Sequence, residues 1–385
     1  MCGLVPNRLS LGRKWGASAL GTLVSAVGLL AGPVSSAYAQ RDLTVGGDAR
    51  IFAMGGAGLA LLNPLGGAGS RMNPATLAFE PKNLAFQYPS LALRTDGGVS
   101  LGRVSNYLLG GQDFDDASDI IRETLDSDSV IGANGGIGLR YSRFEIGAQV
   151  VARGQVRPNE ALRQWAANGG DFPTDARSDI YAAGYYTAPT VTAGFYIPDP
   201  NGNRYAYGVG VRAKVVTAVY THYIADADAI TGQGALARAP EMNGRDSLTR
   251  QGVAVDLGFS MQPLRGQRDI SAALVIANAL RSNFSFDGTD PNGTPERFNV
   301  LATTVNSGVG YRDGKLTLAA DWTDMTSSAG PTQLRLGGEY RFDQRFQVRG
   351  GYNSTNGFTW GLGFFGLDIA FGRNQPLEAV TTIGF

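Results

Sequence analysis

Cysteine, histidine and long apolar runs are nearly absent from this chain of 385 residues. The one cysteine, Cys2, stands at the extreme N-terminus, so no disulfide framework or cysteine metal site shapes the fold. The one histidine, His222, has no nucleophile elbow of the G-x-S-x-G kind to serve. It lies in "AVYTHYIA" beside Tyr220 and Tyr223 and reads as an interfacial residue among aromatics, so no catalytic residue is expected and the chain is not read as an enzyme. Charge of one sign is lacking too: 33 Lys and Arg face 33 Asp and Glu. That balance gives no electrostatic reason to bind nucleic acid. After residue 40 no stretch approaches the roughly 20 apolar residues of a spanning helix. If the chain enters a bilayer it does so as a closed barrel, because only helices and barrels satisfy every backbone group in lipid.

What is present begins with an export signal. Arg8, Arg13 and Lys14 precede the small, apolar stretch Gly16 to Leu30, and Ala37-Tyr38-Ala39 forms an A-x-A site before Gln40. These three regions in order read as a signal peptide over residues 1–39, cleaved after Ala39. The whole chain is rich in glycine, 54 residues in all, about twice the usual share of roughly 7%.

Beyond the leader the period is two. In "RFEIGAQV" Phe144, Ile146, Ala148 and Val150 alternate with Arg143, Glu145 and Gln149. "GVAVDLGFSM", "QLRLGGEYRF" and "RFQVRGGYN" alternate likewise. Side chains point to opposite faces along a strand, so each segment has one apolar and one charged side. Segment lengths of about 9–11 residues suit tilted strands crossing hydrocarbon. Connections sort by parity. Ser142, Pro200 to Asn203, Gln262 to Arg268, Arg312 to Gly314, Asp343-Gln344 and Phe365-Gly366 mark fairly short turns. Gln155 to Asp179, Ala225 to Arg250, Arg281 to Arg297 and Asp324 to Thr332 mark mostly long loops. Short turns at one end and long loops at the other are the pattern of an outer-membrane barrel.

The expected fold is therefore all-β: a transmembrane antiparallel β-barrel of about 14 strands with an N-terminal hatch. The hatch is assigned to residues 40–97 and the barrel to residues 98–385, with either Leu84–Leu93 or Val99–Tyr107 as a candidate that does not span. Two loop segments read as helices: "DFDDASDIIRETL", with Ile120, Ile121 and Leu125 on one side, and "NEALRQWAA", opened by Asn159. They are taken as ordering the rim of the barrel rather than gating it. "GLGFFG" matches a dinucleotide fingerprint but continues as strand, and "DGTDPNGTPE" (Asp287, Asp290, Asn292, Glu296) lacks the order of a calcium loop. No cofactor and no metal are expected. Arg335, Glu339, Arg341, Arg345 and Arg349 share one strand face as lumen charges; they solvate the lumen or brace the hatch, or else guide an anionic head group.

The segment before the barrel does not alternate. It carries Ala49-Arg50, Met54-Gly55-Gly56-Ala57 and Asn73-Pro74-Ala75-x-Leu77-Ala78. With the C-terminal pattern "FTWGLGFFGLDIAFGR…TTIGF", these residues resemble FadL-type outer-membrane proteins and their TraF-like and PorV-like relatives. The resemblance implies a 14-stranded barrel with a hatch in its lumen, shaped by Met54, Gly55, Gly56, Asn73, Pro74 and Ala75. It implies passive movement of hydrophobic small molecules such as long-chain fatty acids across the outer membrane of a Gram-negative-type bacterium. The alternative it carries is a non-transporting accessory of secretion or envelope assembly, which binds a protein partner. "LLNPLGGAGSR" replaces the acidic stretch usual between the two hatch motifs. The closing strand "EAVTTIGF", with Ile383 and Phe385 on one face, looks like the signal by which the barrel assembly machinery recognises its clients. Outer-membrane lipid, that machinery and a hydrophobic ligand are the partners so implied.

Overall fold

Alternation produces a single wall. The computed structural model describes residues 49–62, 72–80, 82–96, 129–169, 171–199, 205–226, 247–263, 268–289, 295–328, 331–343, 345–354, 357–365, 367–372 and 382–383. The strands are β1 (Leu84–Asp96), β2 (Ser129–Tyr141), β3 (Phe144–Pro158), β4 (Arg177–Ile197), β5 (Tyr205–Asp226), β6 (Ser247–Pro263) and β7 (Arg268–Arg281). A separate hairpin, β8 (Ser285–Thr289) and β9 (Pro295–Asn299), follows. The wall resumes with β10 (Thr304–Asp313), β11 (Leu316–Thr323), β12 (Gln333–Arg341), β13 (Phe346–Asn353), β14 (Gly357–Phe364), β15 (Leu367–Gly372) and β16 (Thr382–Ile383). Fourteen of these form one antiparallel sheet in chain order, in which β10 pairs directly with β7. β16 lies beside β1, so the sheet curls back on itself, although no ladder joins the two among the described residues.

Leu84–Asp96 is a strand of this wall, paired along its length with β2. The hatch therefore ends earlier than residue 97, and the boundary expected there is corrected. Val99–Tyr107, the first loop helix, the leader and Phe385 lie outside the described residues. The second loop helix is present as α2 (Glu160–Asn168). Asn159 caps it, its Oδ1 accepting from the Leu162 N–H at 3.1 Å. Leu162 and Trp165 are buried against Ala176 and Phe172.

Turns at one end are tight. Ser142 and Phe365 take the left-handed conformation, φ 55° and 50°, at two of them. Asp343 turns the chain between β12 and β13: its Oδ1 accepts the N–H groups of Arg345 and Phe346, both at 2.7 Å. Those two donors hold the exposed carboxyl below the usual carboxylate range. The opposite end carries α2, the β8–β9 hairpin and the other long connections.

The outer face is apolar along most of the wall. Ile146, Val191, Val209, Val253, Ile270, Val309, Leu318 and Leu362 all project outward and are exposed. A surface this continuous would be strongly unfavourable in water and marks contact with hydrocarbon. Aromatic residues belt both ends. Near the tight turns Tyr340, Phe342, Phe346, Phe364 and Phe365 form a chain of ring contacts with centroids 4.5 to 6.5 Å apart. Near the long loops Trp360 stacks on Phe371 at 4.3 Å, and Trp322 and Phe358 are exposed. Two aromatic girdles around an apolar band are what a transmembrane barrel requires.

The band makes a direct expectation. In bilayers of lipids brominated on their acyl chains, a Trp165→Phe variant of the chain without residues 1–39, which reports Trp322 and Trp360, should lose most of its fluorescence. Unquenched emission would show that this face does not meet lipid.

Candidate functional site: a lumen in three layers

β5 runs the length of the lumen and shows its organisation. From the tight-turn end its inward residues are Ala206, Gly208, Gly210, Arg212, Lys214, Val216, Ala218 and Tyr220. Small, then charged, then apolar: each group faces a different layer.

The first layer is the hatch. A short helix, α1 (Ala49–Ala53), packs on β13, β14 and β15, and a 3-10 helix (Pro74–Phe79) packs on β4, β5 and β6. The segment thus reaches across the lumen. Asn73 organises the second half: its Oδ1 accepts from the Ala75 N–H at 3.0 Å, and its Nδ2 donates to the Phe259 carbonyl at 3.2 Å. Pro at the first helical position needs no donor there. Gly210 faces this helix, and a Cβ on it would overlap the Pro74–Ala75 backbone. Gly351 faces the other half, where a Cβ would overlap Met54 and Gly55. Gly55, at φ 68°, donates its N–H to Thr359 Oγ1 at 2.9 Å. Gly56, at φ 84°, continues the turn, and Met54 is buried with Ala57, Leu61 and Ala319. Of the six hatch residues named from the sequence, Met54, Gly55, Asn73, Pro74 and Ala75 meet the wall, and Gly56 stands in the turn after α1.

Charge fastens the hatch. Arg50 donates Nε to Glu339 Oε2 at 2.7 Å and Nη2 to Oε1 at 3.0 Å, a bidentate pair. Arg349 donates Nε to the same Oε2 at 2.8 Å and Nη1 to Asp368 Oδ1 at 2.5 Å. Its Nη2 is bonded to Gln347. Arg341 lies 3.6 Å from Glu339, and Arg335 donates to Gln333 at 3.2 Å. Asp321 adds a second clasp, its Oδ2 accepting the N–H groups of Gly58 and Leu59 at 2.7 and 2.9 Å. Glu80, just past the 3-10 helix, pairs with Arg140 at 3.0 Å. Burial pushes the Glu80 carboxyl above the usual range, with Arg140 opposing the rise.

Of the five expected lumen charges, four share this inner face. Arg345 does not: it sits exposed at the Asp343 turn with its guanidinium 5.2 Å from the Phe365 ring centre, because the strand has already ended there. Ile383 lies in β16, in register with Leu367. His222 also differs from expectation. It stacks on Tyr220 at 6.3 Å, and strand alternation puts the two on the same lumen-side face rather than in the outer girdle.

The second layer is a charged belt that sequence reading did not single out. Lys214 Nζ donates to Asp256 Oδ1 and to Asn278 Oδ1, both at 2.7 Å. Arg212 reaches Thr192 at 3.2 Å and Asp256 at 3.5 Å. Asn278, at φ 53°, bonds Asp256 through its N–H and the Ala302 carbonyl through its Nδ2. Four strands, β4 to β7, supply these side chains, and the signal for the charged ones was the inward parity of "VRAKVV" opposite "VAVDLG".

The third layer, at the long-loop end, is apolar. Val151, Tyr185, Val216, Ala218, Tyr220 and Ala254 line it from β3 to β6. The β8–β9 hairpin fills it with Phe284, Phe286 and Phe298. Among the described residues no group of three or more His, Cys, Asp or Glu side chains is placed to hold a metal ion.

No family model and no curated protein matches the chain. Similar solved structures include CymD, a monoaromatic hydrocarbon channel, at 14% identity and TM-score 0.44, covering 86% of this chain and 94% of that one. A deltaS2 mutant of the monoaromatic hydrocarbon channel TodX aligns at 12% identity and TM-score 0.43, covering 86% and 93%. The toluene transporter TodX of Pseudomonas putida aligns at 14% and 0.36, covering 80% and 92%. Similarity at this level leaves the reading of the lumen to its own geometry.

The hatch clasp is testable by a double-mutant cycle. Arg50→Ala should lower stability by about 2–3 kcal/mol, since it removes a buried charged pair while Arg349 still serves Glu339. Combined with Glu339→Gln, the loss should fall short of the sum by about 1–3 kcal/mol. Additive losses in equilibrium unfolding would show that this pair does not tie hatch to wall.

Proposed function

We infer that this protein is an outer-membrane channel for passive movement of hydrophobic small molecules. The observation that carries the reading is the graded lumen. An apolar layer, filled by the β8–β9 hairpin, lies at the long-loop end, a charged belt lies below it, and a hatch closes the other end. A solvated pore would need polar groups throughout, whereas a chamber lined by Val216, Ala218 and Tyr185 favours apolar cargo. The long-loop end faces the exterior and the tight turns face the periplasm, as barrel topology requires. Passage would be capture in the chamber, rearrangement of the hatch and release along the gradient.

Long-chain fatty acids are the finer proposal: Arg212 and Lys214 stand directly under the chamber, where a carboxylate would arrive. Alkanes and aromatics would depend on the chamber alone. The wall also offers an irregular level. Pairing of β4 shifts register between Thr187 and Thr190 against β5, and between Gly147 and Gln149 of β3, around Pro189. Proline cannot donate to a ladder, so the wall lacks a rung there, between belt and apolar layer. The rival reading, an accessory of secretion or envelope assembly, shares one observation, the filled lumen. It predicts no dependence of uptake on the gene.

Cells carrying or lacking the gene should differ in uptake of labelled oleate, hexadecane or toluene, with at least one entering several-fold faster when the protein is present. Equal uptake of all three would remove the transport reading and leave the rival.

A further inference from the structure

The lipid-facing side of the wall is not evenly packed. Four glycines meet where β12 and β13 pair: Gly337 lies opposite Gly351, and Gly338 opposite Gly350. Strand alternation sends the first pair inward and the second outward. The inward pair is required by the protein itself, because a Cβ on Gly337 or Gly351 would overlap Met54 or Gly55 of the hatch. The outward pair is not. Gly350 is exposed, it pairs as an ordinary ladder residue, and a Cβ on it would meet nothing within 4 Å. Trp360, opposite it on β14, stacks on Phe371 of β15 instead of closing over it. A Cβ on Gly338 would make only an ordinary contact with Leu318, at 3.4 Å. Glycine weakens a strand, and inside one it marks close approach by a ligand or another backbone. Around the outward pair the surface sinks into a shallow trough of about 530 Å³. The trough runs from Phe358 on β14, near the long loops, past Tyr352 and Leu336 to Leu318 and then Tyr311 on β10, close to the tight turn at Gly314. Among the described residues no charged side chain lines it.

We propose that this trough is a binding site for one acyl chain of a membrane lipid. Its depth in the bilayer selects the occupant, since it lies in the apolar band between the two aromatic girdles, where hydrocarbon replaces water. Its dimensions agree. Neighbouring strands stand about 4.8 Å apart, so the trough extends about 19 Å from β10 to β14, while one leaflet of hydrocarbon is about 15 Å thick. A transmembrane helix, about 10 Å across, is too wide for a gap made by two adjacent strands. The convex wall of a second copy would rest on the rims without reaching the glycine floor. A thin, flexible chain reaches it. Seated there, the acyl chain packs on the backbone of the two strands whose other side carries the hatch, next to the Arg50–Glu339–Arg349 network. It supplies the packing that four glycines leave out. The site requires that the wall lie in lipid and is independent of what the channel carries.

The probe is phosphatidylcholine with a diazirine on one acyl chain, present as a minor component of phosphatidylcholine vesicles that hold the chain without residues 1–39. Photolabelled positions are mapped by mass spectrometry. Labelling at Leu318 and Leu336 should exceed several-fold that at Val191, Val209 and Val253, which are similarly exposed on β4, β5 and β6. Gly350→Leu, which fills the trough from its floor, should remove the excess and leave the other positions unchanged. A heat-dependent shift in electrophoretic migration certifies the folded barrel; if Gly350→Leu lacks it, Gly350→Ala is read, with a smaller fall in the same direction. Even labelling around the wall overturns the proposal, as does an excess that survives in the folded variant. Protection of the trough together with a chemically trapped dimer assigns it to a second copy and overturns the proposal as well. The readout involves no transport, so equal uptake by cells with and without the gene leaves the site standing, and loss of the site leaves the channel reading intact.

Discussion

The carboxylate of Glu339 is the point on which the interior depends. It is almost fully buried and would be costly there alone, yet Arg50 meets it from the hatch and Arg349 from the neighbouring strand. Removing one partner therefore disturbs both the wall and what it encloses. Arg349 extends the network to Asp368 on β15, so three wall strands and the N-terminal helix share one set of charges. Charge fixes the position of the hatch, and glycine allows its depth. At Gly210 and Gly351 the hatch backbone rests against the wall backbone, and any side chain there would push it away.

Much of this architecture was legible in the chain. Alternation and the parity of the turns specify a long antiparallel wall with tight connections at one end, because a strand's period of two survives any tertiary context. The segment around Asn73 and Pro74 does not alternate, which sets it apart from the wall, but its helical turn was not legible there. Other features carried a weak local signal or none. Leu84–Leu93 read as a candidate strand, but it includes Pro89 and lies beside the irregular hatch, so its place in the wall is settled only by its pairing with β2. Phe284 and Phe286 alternate like any outer strand. Nothing nearby says that they turn inward, since their partners Tyr220 and Val216 lie far away in sequence. Arg345 had the parity of a lumen residue but stood one position beyond the end of its ladder.

The lumen is layered because one strand is long enough to cross every layer. β5 has 22 residues, well beyond the need of the apolar band, and its inner face passes from glycine through Arg212 and Lys214 to Val216 and Tyr220. The apolar layer demands a cover, since an open chamber of this kind would hold poorly bonded water. The hairpin supplies that cover from the longest described excursion between adjacent wall strands. The belt beneath it needs none, because Lys214, Asp256 and Asn278 satisfy one another.

The Arg50–Glu339 contact spans 289 residues of sequence. The hatch is the first part of the described chain to be synthesised, and its main anchor is among the last. Its first half cannot dock until β12 and β13 exist, whereas its second half meets β4, β5 and β6 much earlier. Closing so large a loop is slow in entropic terms, and the reward arrives only with the final strands. Completion of the wall and docking of the first half of the hatch are therefore coupled. A chain truncated before β12 loses the seat of the hatch's first half as well as the end of its wall.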